Sequence, residues 1–434
     1  MEKPSRFVGD IPPGGIPAGA DPFAHVAQFP PHRFIPRLSR QAISILAVFL
    51  VFHILLSVFS LIILILPYIG KVRRTPWLVR KIYIYSSSGE KLYNTPLYFL
   101  NAGVLMSASQ LMSSVTTQAY IWMQVRMHLS EDYALRAQFV PALALMFIFN
   151  TYSYWSMTHC FLALSYTNET LTHKSIILSW LRSPISINTF FVAFPVSVTV
   201  ATITVMTRLC LAYQDLLLHT RSIKAILSQG SLLWNQLKLT SLPEDGRAHI
   251  LSQLIRTQDQ LDLLLQATGA VLTRVLDRFY SVRSIMLVSI PATSLFFFIS
   301  FWKLADKYKK RGQKSNKTMI KLNEDPAKQV YLRSESEAAF FDTLRSDDQF
   351  VRLTITAVAT LLGILTGMSY WFLTVFKSNA IMIDPYWHGV GAWMPTISGT
   401  WSALPMAWQS WQLYLEKKDK MTSFPCESGE ASMQ

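Results

Sequence analysis

The chain has 434 residues, is 51% hydrophobic and 13% aromatic, and carries 15% charged residues, where soluble domains carry about a quarter. That deficit, with a positive mean hydropathy, excludes an ordinary soluble domain and places the chain among membrane proteins. The formal charge of +14 does not point to nucleic acid, because the Lys and Arg residues lie between apolar spans, as in loops facing the cytoplasm.

Met1 to Arg40 is rich in Pro and Gly and lacks the apolar core and cleavage site of a signal peptide; residues 1–40 read as a flexible, solvated tail. A membrane helix needs about 20 apolar residues, because the hydrocarbon core is about 30 Å thick and each residue rises 1.5 Å. By that measure residues 41–69, with one His and no charge, form the first span. Six more follow at about 97–125, 137–166, 189–207, 284–302, 353–376 and 389–413. The fourth is short and carries Pro195. The seventh carries Trp393, Trp401, Trp408 and Trp411, aromatic anchors suited to both interfaces. Pro195, Pro291, Pro395 and Pro405 mark expected kinks. No repeat relates the two halves, which disfavours an inverted-repeat transporter.

Spans four and five are joined by 208–283, which keeps a helical pattern on both sides of a turn. On the return arm, Leu251, Leu254, Gln258, Leu261, Leu265, Thr268, Leu272, Val275, Phe279, Val282 and Met286 recur at spacings of three and four. That is the pattern of a coiled-coil seam. The outgoing arm carries a looser stripe through Leu216, Leu217, Ile223, Ile226, Leu227, Leu233, Trp234 and Leu237, and Pro243 and Gly246 signal the turn. The expected fold is therefore all-α: a polytopic membrane protein, a bundle of about seven transmembrane helices with a long extramembrane helical hairpin. Domain limits are 1–40 for the tail, 41–413 for the membrane domain with hairpin 208–283 and polar loop 303–352, and 414–434 for the C-terminal tail.

Seven spans put the first, third and fifth connections and the C-terminal tail on one face. They hold 23 Lys and Arg against eight on the other face, the nine in the long fourth connection set aside. Positive flanks resist translocation, so the N-terminus is expected outside and the C-terminus inside. The two N-x-[ST] acceptors, Asn168 and Asn316, then face the cytoplasm and stay unmodified. The basic run from Lys303 to Lys317 would lie against anionic lipid. Ser334 and Ser336, beside acidic residues, have the generic look of phosphorylation sites. Cys426, about a dozen residues past span seven, is a candidate for palmitoylation.

The spans contain no Asp, Glu, Lys or Arg. An intramembrane charge usually marks an ion or proton path, so ion pumping, proton coupling and a Schiff-base chromophore are disfavoured. Paired aspartates and an H-E-x-x-H zinc helix are absent, and with them intramembrane proteolysis. Cys160, Cys210 and Cys426 have no metal-ligand spacing, and Cys160 and Cys210 read as buried thiols rather than a disulfide. No cofactor, metal or catalytic residue is assigned, and no enzyme is expected. His53 and His159 read as hydrogen-bonded packing residues. Asp384-Pro-Tyr-Trp-His388 is the best cluster for interfacial transfer chemistry, but it reads first as an interfacial anchor.

Small polar residues crowd span two: Ser107, Ser109, Gln110, Ser113, Ser114, Thr116, Thr117 and Gln118. Asn101 and Asn150 add to them, and such residues let helices approach closely and hydrogen-bond or line a wet cavity. Tyr152, Tyr154, Trp155, His159 and Cys160 on span three suit an apolar pocket with a few polar contacts, or a packed core. Three functions fit. A heptahelical signalling receptor leads, although Ala163-Leu-Ser-Tyr-Thr-Asn stands where an Asp-Arg-Tyr-like triplet would follow span three, and no Asn-Pro-x-x-Tyr occurs in span seven. A ligand-gated channel of inverted topology with a cytoplasmic helical anchor is second. A membrane scaffold or neutral-solute transporter is third. The partners are the bilayer itself, anionic lipid, and a second copy or a cytoplasmic signalling protein. The plasma membrane and endomembranes are not distinguished, and no ligand is assigned.

Overall fold

In a computed structural model of the chain, residues 21–27, 38–68, 78–84, 91–166, 183–238, 243–321 and 348–422 are described. Among them the chain is overwhelmingly helical, with one two-stranded ribbon. Helix α1 is Pro22–Ala27 and α2 is Arg40–Ile65, opened by Ser39, whose side chain accepts from Ala42 N. Strands β1 (Val79–Ile82) and β2 (Leu97–Leu100) pair antiparallel, with Val79 opposite Leu100. Helix α3 (Ala102–Leu129) follows, then the single turn α4 (Glu131–Ala134) and α5 (Val140–Tyr166).

Two very long helices come next: α6 (Pro184–Leu237, 54 residues) and α7 (Glu244–Lys321, 78 residues). Helix α8 is Asp348–Ile383, bent at Lys377, whose φ of −124° and ψ of 23° are non-helical. Helices α9 (Pro385–Ile397) and α10 (Ala403–Thr422) close the chain, separated by a turn and a short 3-10 segment.

Among the described residues, four segments are long and apolar enough to cross a membrane: Arg40–Tyr68, Pro184–Leu237, Glu244–Lys310 and Val351–Lys377. Their apolar side chains point outward. On α2, Val51, Phe52, Ile54, Leu55, Val58 and Leu61 are exposed, while His53 and Ser60 are buried. This is the reverse of a soluble helix, whose polar residues face out, and it is the arrangement that lipid favours. Helices α3 and α5 lack a stretch that apolar because they supply the polar interior: Gln110, Ser113, Ser114 and Thr117 on α3, and Asn150, Ser153 and Thr158 on α5, are all buried. Small polar residues on facing helices permit close approach and interhelical hydrogen bonds.

Packing groups the helix ends into two sets. At one end, Leu38, Ala42 and Leu46 meet Tyr120, Ile121 and Ala392, while Val140 and Ala144 meet Val205, Met206, Val282, Met286, Tyr370 and Trp371. At the other, Leu56 and Ile63 meet Met406, and Ala102, Met157 and Phe161 meet Phe297, Leu304, Ala357 and Ile364. Consecutive long helices thus run in alternating directions. Helices α6 and α7 continue past the first end side by side, with Ile223 and Leu227 packed on Leu254 and Leu261.

Several expected boundaries are corrected. The helix expected from about Leu97 begins at Ala102: Asn101 caps it through its side chain (Val104 N, 3.4 Å), and the apolar run 97–100 is the strand β2. The loop 303–352 is helical through Lys321, because Lys and Arg are good helix formers and Asp306 pairs with Lys310 at 2.6 Å, one turn on. Gly246, expected in a turn, lies in the first turn of α7. Along the return arm Leu254, Leu261, Thr268, Val275, Val282 and Met286 are buried, but Leu251 is 52% exposed and Gln258 is exposed; Thr257 and Val271 are buried in addition. Within the N-terminal stretch, Phe23 of α1 joins the Leu227–Leu261 cluster, where a Cβ on Gly230 would come within 2.4 Å of the ring.

Candidate functional site

The polar interior converges on the gap between α9 and α10. Pro395 precedes the gap by one turn, and its carbonyl groups at 396–399 are only partly used by the helix. Side chains from three other helices take them. His53 Nε2 donates to Thr396 O at 2.9 Å, which fixes the tautomer and leaves Nδ1 to accept from Ser114 Oγ at 3.4 Å. Tyr154 OH donates to Ser398 O at 3.3 Å. Gln110 Nε2 donates to Gly399 O at 3.2 Å.

A second layer holds these in place. Asn150 accepts from Ser113 Oγ at 2.7 Å and donates to Ser398 Oγ at 3.3 Å. Gln118 Nε2 donates to His53 O at 3.0 Å and to Ser57 Oγ at 2.8 Å. In an apolar medium an unpaired backbone carbonyl costs several kcal/mol; this network satisfies the carbonyls that the interrupted helix releases. Gln110 Oε1 remains buried without a partner.

Beside the interruption lies a cavity of about 50 Å³ between α5, α7, α8 and α9, with Asn150, Thr151, Tyr154, Thr293 and Ser398 among its lining. The rest of the wall is mainly apolar, including Met146, Phe147, Ile290, Ile364 and Trp371. Two glycines of α8 border it differently. A Cβ on Gly363 would lie 2.7 Å from Ser398 O and 2.8 Å from Tyr154 OH, whereas one on Gly367 would meet nothing within 4 Å.

The five aromatic and polar residues singled out on span three divide. Tyr154 reaches the cavity, but Tyr152 OH shares a hydrogen bond with Thr199 Oγ1 at 2.7 Å. Trp155 stacks on Phe194 at 4.3 Å and donates through Nε1 to Phe191 O at 3.0 Å. That carbonyl is free because Pro195, four residues on, has no N–H. His159 lies against Phe191 and Phe99, and Cys160 sits in the core with Met157 and Phe297. Cys160 and Cys210 are free thiols, the latter donating to Gln138 Oε1 at 3.3 Å.

Asp384 is a helix cap, accepting from Tyr386 N at 2.8 Å, and His388 Nδ1 donates to Ile381 O at 3.2 Å, so the two side chains do not pair. Thr293, Gly363, Gly367, Trp371 and Ser398 were not singled out from the sequence. The signal available for them was indirect: Pro395, with the Ser398-Gly399-Thr400 run behind it, marks a weak point in the helical run from Pro385 onward.

Helix α6, where it begins to pair with α7, is tied to the connection between α3 and α5. Arg221 Nε donates to Leu135 O at 2.9 Å, and Lys224 pairs with Glu131 at 3.0 Å and Asp132 at 3.5 Å. The ion pairs are exposed and worth little individually. Among the described residues, no group of three or more His, Cys, Asp or Glu could hold a metal ion. Asn168, Ser334, Ser336 and Cys426 lie outside the described residues, and Asn316 lies within α7.

These features define a class: a mostly helical chain whose apolar helices face outward around an uncharged polar interior, as a membrane-embedded bundle does. No protein-family model matches the chain, and no curated protein or solved structure is significantly similar to it.

Proposed function

We propose that the protein is a heptahelical integral membrane receptor for a small ligand, with its N-terminus outside and its C-terminus inside. Its crossings are α2, α3, α5, the first part of α6, the middle of α7, α8, and the interrupted pair α9–α10. The alternating directions of these helices support the count. The excess of Lys and Arg on the face of the C-terminus supports the orientation. The parts of α6 and α7 beyond the bundle form the extramembrane hairpin, with a coiled-coil type of seam.

One observation carries the receptor reading. Ile290 and Thr293, on the cavity wall, stand on α7, a single 78-residue helix that runs from the Leu254–Leu261 packing against α6 through the cavity wall to Lys321. At 1.5 Å per residue it is about 117 Å long. A ligand that binds one position of α7 better than another shifts the population of both. The shift reaches the hairpin on one side and the basic stretch from Lys303 onward on the other, where anionic lipid and a cytoplasmic signalling partner would meet it.

A ligand-gated channel of inverted topology is the second reading. It is favoured by the leucines that the α6–α7 pair leaves exposed, Leu218, Leu232 and Leu263, which suit contacts between subunits. An epitope tag at the hairpin tip separates the two. Labelling in intact cells supports the receptor; labelling only after permeabilisation, with current from the purified protein in planar bilayers, puts the channel first.

A further inference from the structure

The hydroxyl groups of the cavity have a common feature. Thr151 Oγ1 donates to Phe147 O at 2.9 Å, Thr293 Oγ1 to Ser289 O at 2.7 Å, and Tyr154 OH to Ser398 O at 3.3 Å. Ser398 Oγ donates to Pro395 O at 3.4 Å. Each of the four has committed its single proton to a backbone carbonyl, and only lone pairs remain for a guest. Asn150 has one N–H left, its other going to Ser398 Oγ. Thr293 and Thr151 are 3% and 6% exposed, so these acceptors are shielded from bulk water.

Four hydroxyl oxygens thus accept and one N–H, that of Asn150, donates, so a guest that donates a hydrogen bond is favoured over one that only accepts. No charged residue lines the cavity, so an ion would enter without a counter-charge, at high cost in a low-dielectric interior. The volume, about 50 Å³, holds roughly three to five water-sized atoms at about 10–15 Å³ each. Phe147, Ile290 and Trp371 supply an apolar side to the same space.

We infer that this cavity is a binding site for a small neutral hydroxyl compound, its O–H held by the hydroxyl oxygens of Thr293 and Tyr154 and its carbon end against Ile290 and Trp371. The inference rests on the receptor reading for its purpose, but binding itself can be tested without signalling. The probes are 2-propanol and acetone, which match in size and differ in carrying an O–H donor or a carbonyl acceptor.

The experiment is saturation-transfer difference NMR on the full chain in nanodiscs, with empty nanodiscs as the baseline for partition into lipid. The expected result is a signal above baseline for 2-propanol that clearly exceeds the signal for acetone, which can use only the Asn150 N–H. That excess should vanish in Gly367→Val, because Gly367 lines the cavity and a Cβ there meets nothing within 4 Å. It should fall in Thr293→Val, which keeps the shape and removes an acceptor; this variant serves if Gly367→Val does not fold. Equal signals from the two probes, an excess that survives both substitutions, or no excess from 2-propanol because water fills the space would overturn the inference. A hairpin tip found inside the cell removes the receptor reading and leaves the NMR result untouched. A missing 2-propanol signal with the tip outside removes only the ligand class.

Discussion

Gly363 of α8 lies so close to the break between α9 and α10 that a Cβ there would sit 2.7 Å from the carbonyl oxygen of Ser398. The missing side chain is what allows α8 to close over the released carbonyls and lets Tyr154 reach one of them. Backbone cannot yield as the tip of a long side chain can, so Gly363→Ala should cost about 1–3 kcal/mol by overpacking. Gly367→Ala, one turn on, should be close to neutral. Thermal unfolding of the two purified variants, side by side, checks the contrast; equal melting temperatures would remove the close approach.

His53 is the second point at which the interruption is held. Replacing it with Phe keeps the bulk but leaves Thr396 O without its donor, at a cost of about 1–3 kcal/mol. Gln110→Leu should act in the same direction at Gly399 O. Because both side chains secure one short segment, their effects should not add. Additive losses in a double-mutant cycle would show that the carbonyls are not held as a unit.

Leu261 and Leu263 stand two positions apart on α7, the first 7% exposed and the second 73%. Leu261→Glu places a charge against Ile223 and Leu227 and should cost about 3 kcal/mol or more, seen as lost monodisperse protein in size exclusion. Leu263→Glu should stay within about 0.5 kcal/mol of the parent. If both behave like the parent, the packed pair of helices is wrong.

At the far end of that pair Phe23 fills the space where Gly230 lacks a side chain, and Asp21 accepts from Ser231 beside it. Gly230→Ala should displace the ring and loosen the N-terminal segment. Combined with Phe23→Ala the alanine then has room, so the double variant should lose less stability than the two single losses summed. A fully additive result would place Phe23 elsewhere.

The orientation also bears on glycosylation. Asn168 and Asn316 belong to connections assigned to the cytoplasm, so protein made in a eukaryotic host should not change mobility on treatment with an N-glycosidase. A shift abolished by Asn168→Gln or Asn316→Gln would reverse the orientation.

Much of the fold was legible because lipid sets a simple rule: about 20 apolar residues without charge. Span one meets it from Gln41 onward, and the helix found there begins at Arg40. On the return arm Leu254, Leu261 and Val275, which recur at multiples of seven, are buried, whereas Leu251 and Gln258 of the same expected seam are exposed. The extent of α7 was not legible, because Lys303 to Lys321 reads as a polar loop although its residues favour helix. The candidate site was the least legible part. Its hydrogen bonds join His53 to Thr396 and Gln110 to Gly399, residues 343 and 289 positions apart. Periodicity reports only which residues share a face within one helix. The same holds for Gly363, whose importance depends on Ser398 and Tyr154, both on other helices.

The number of crossings is tested most directly by its parity. Four apolar helices alone would return the chain to its starting face, whereas seven crossings put the two ends on opposite faces. Tags at the N- and C-termini, probed with antibody in intact and then permeabilised cells, read this without any knowledge of the ligand. The expected result is an N-terminal tag labelled in intact cells and a C-terminal tag labelled only after permeabilisation. Both tags on one side would contradict the seven-span bundle, and with it the crossing of α3 and α5 that builds the polar interior.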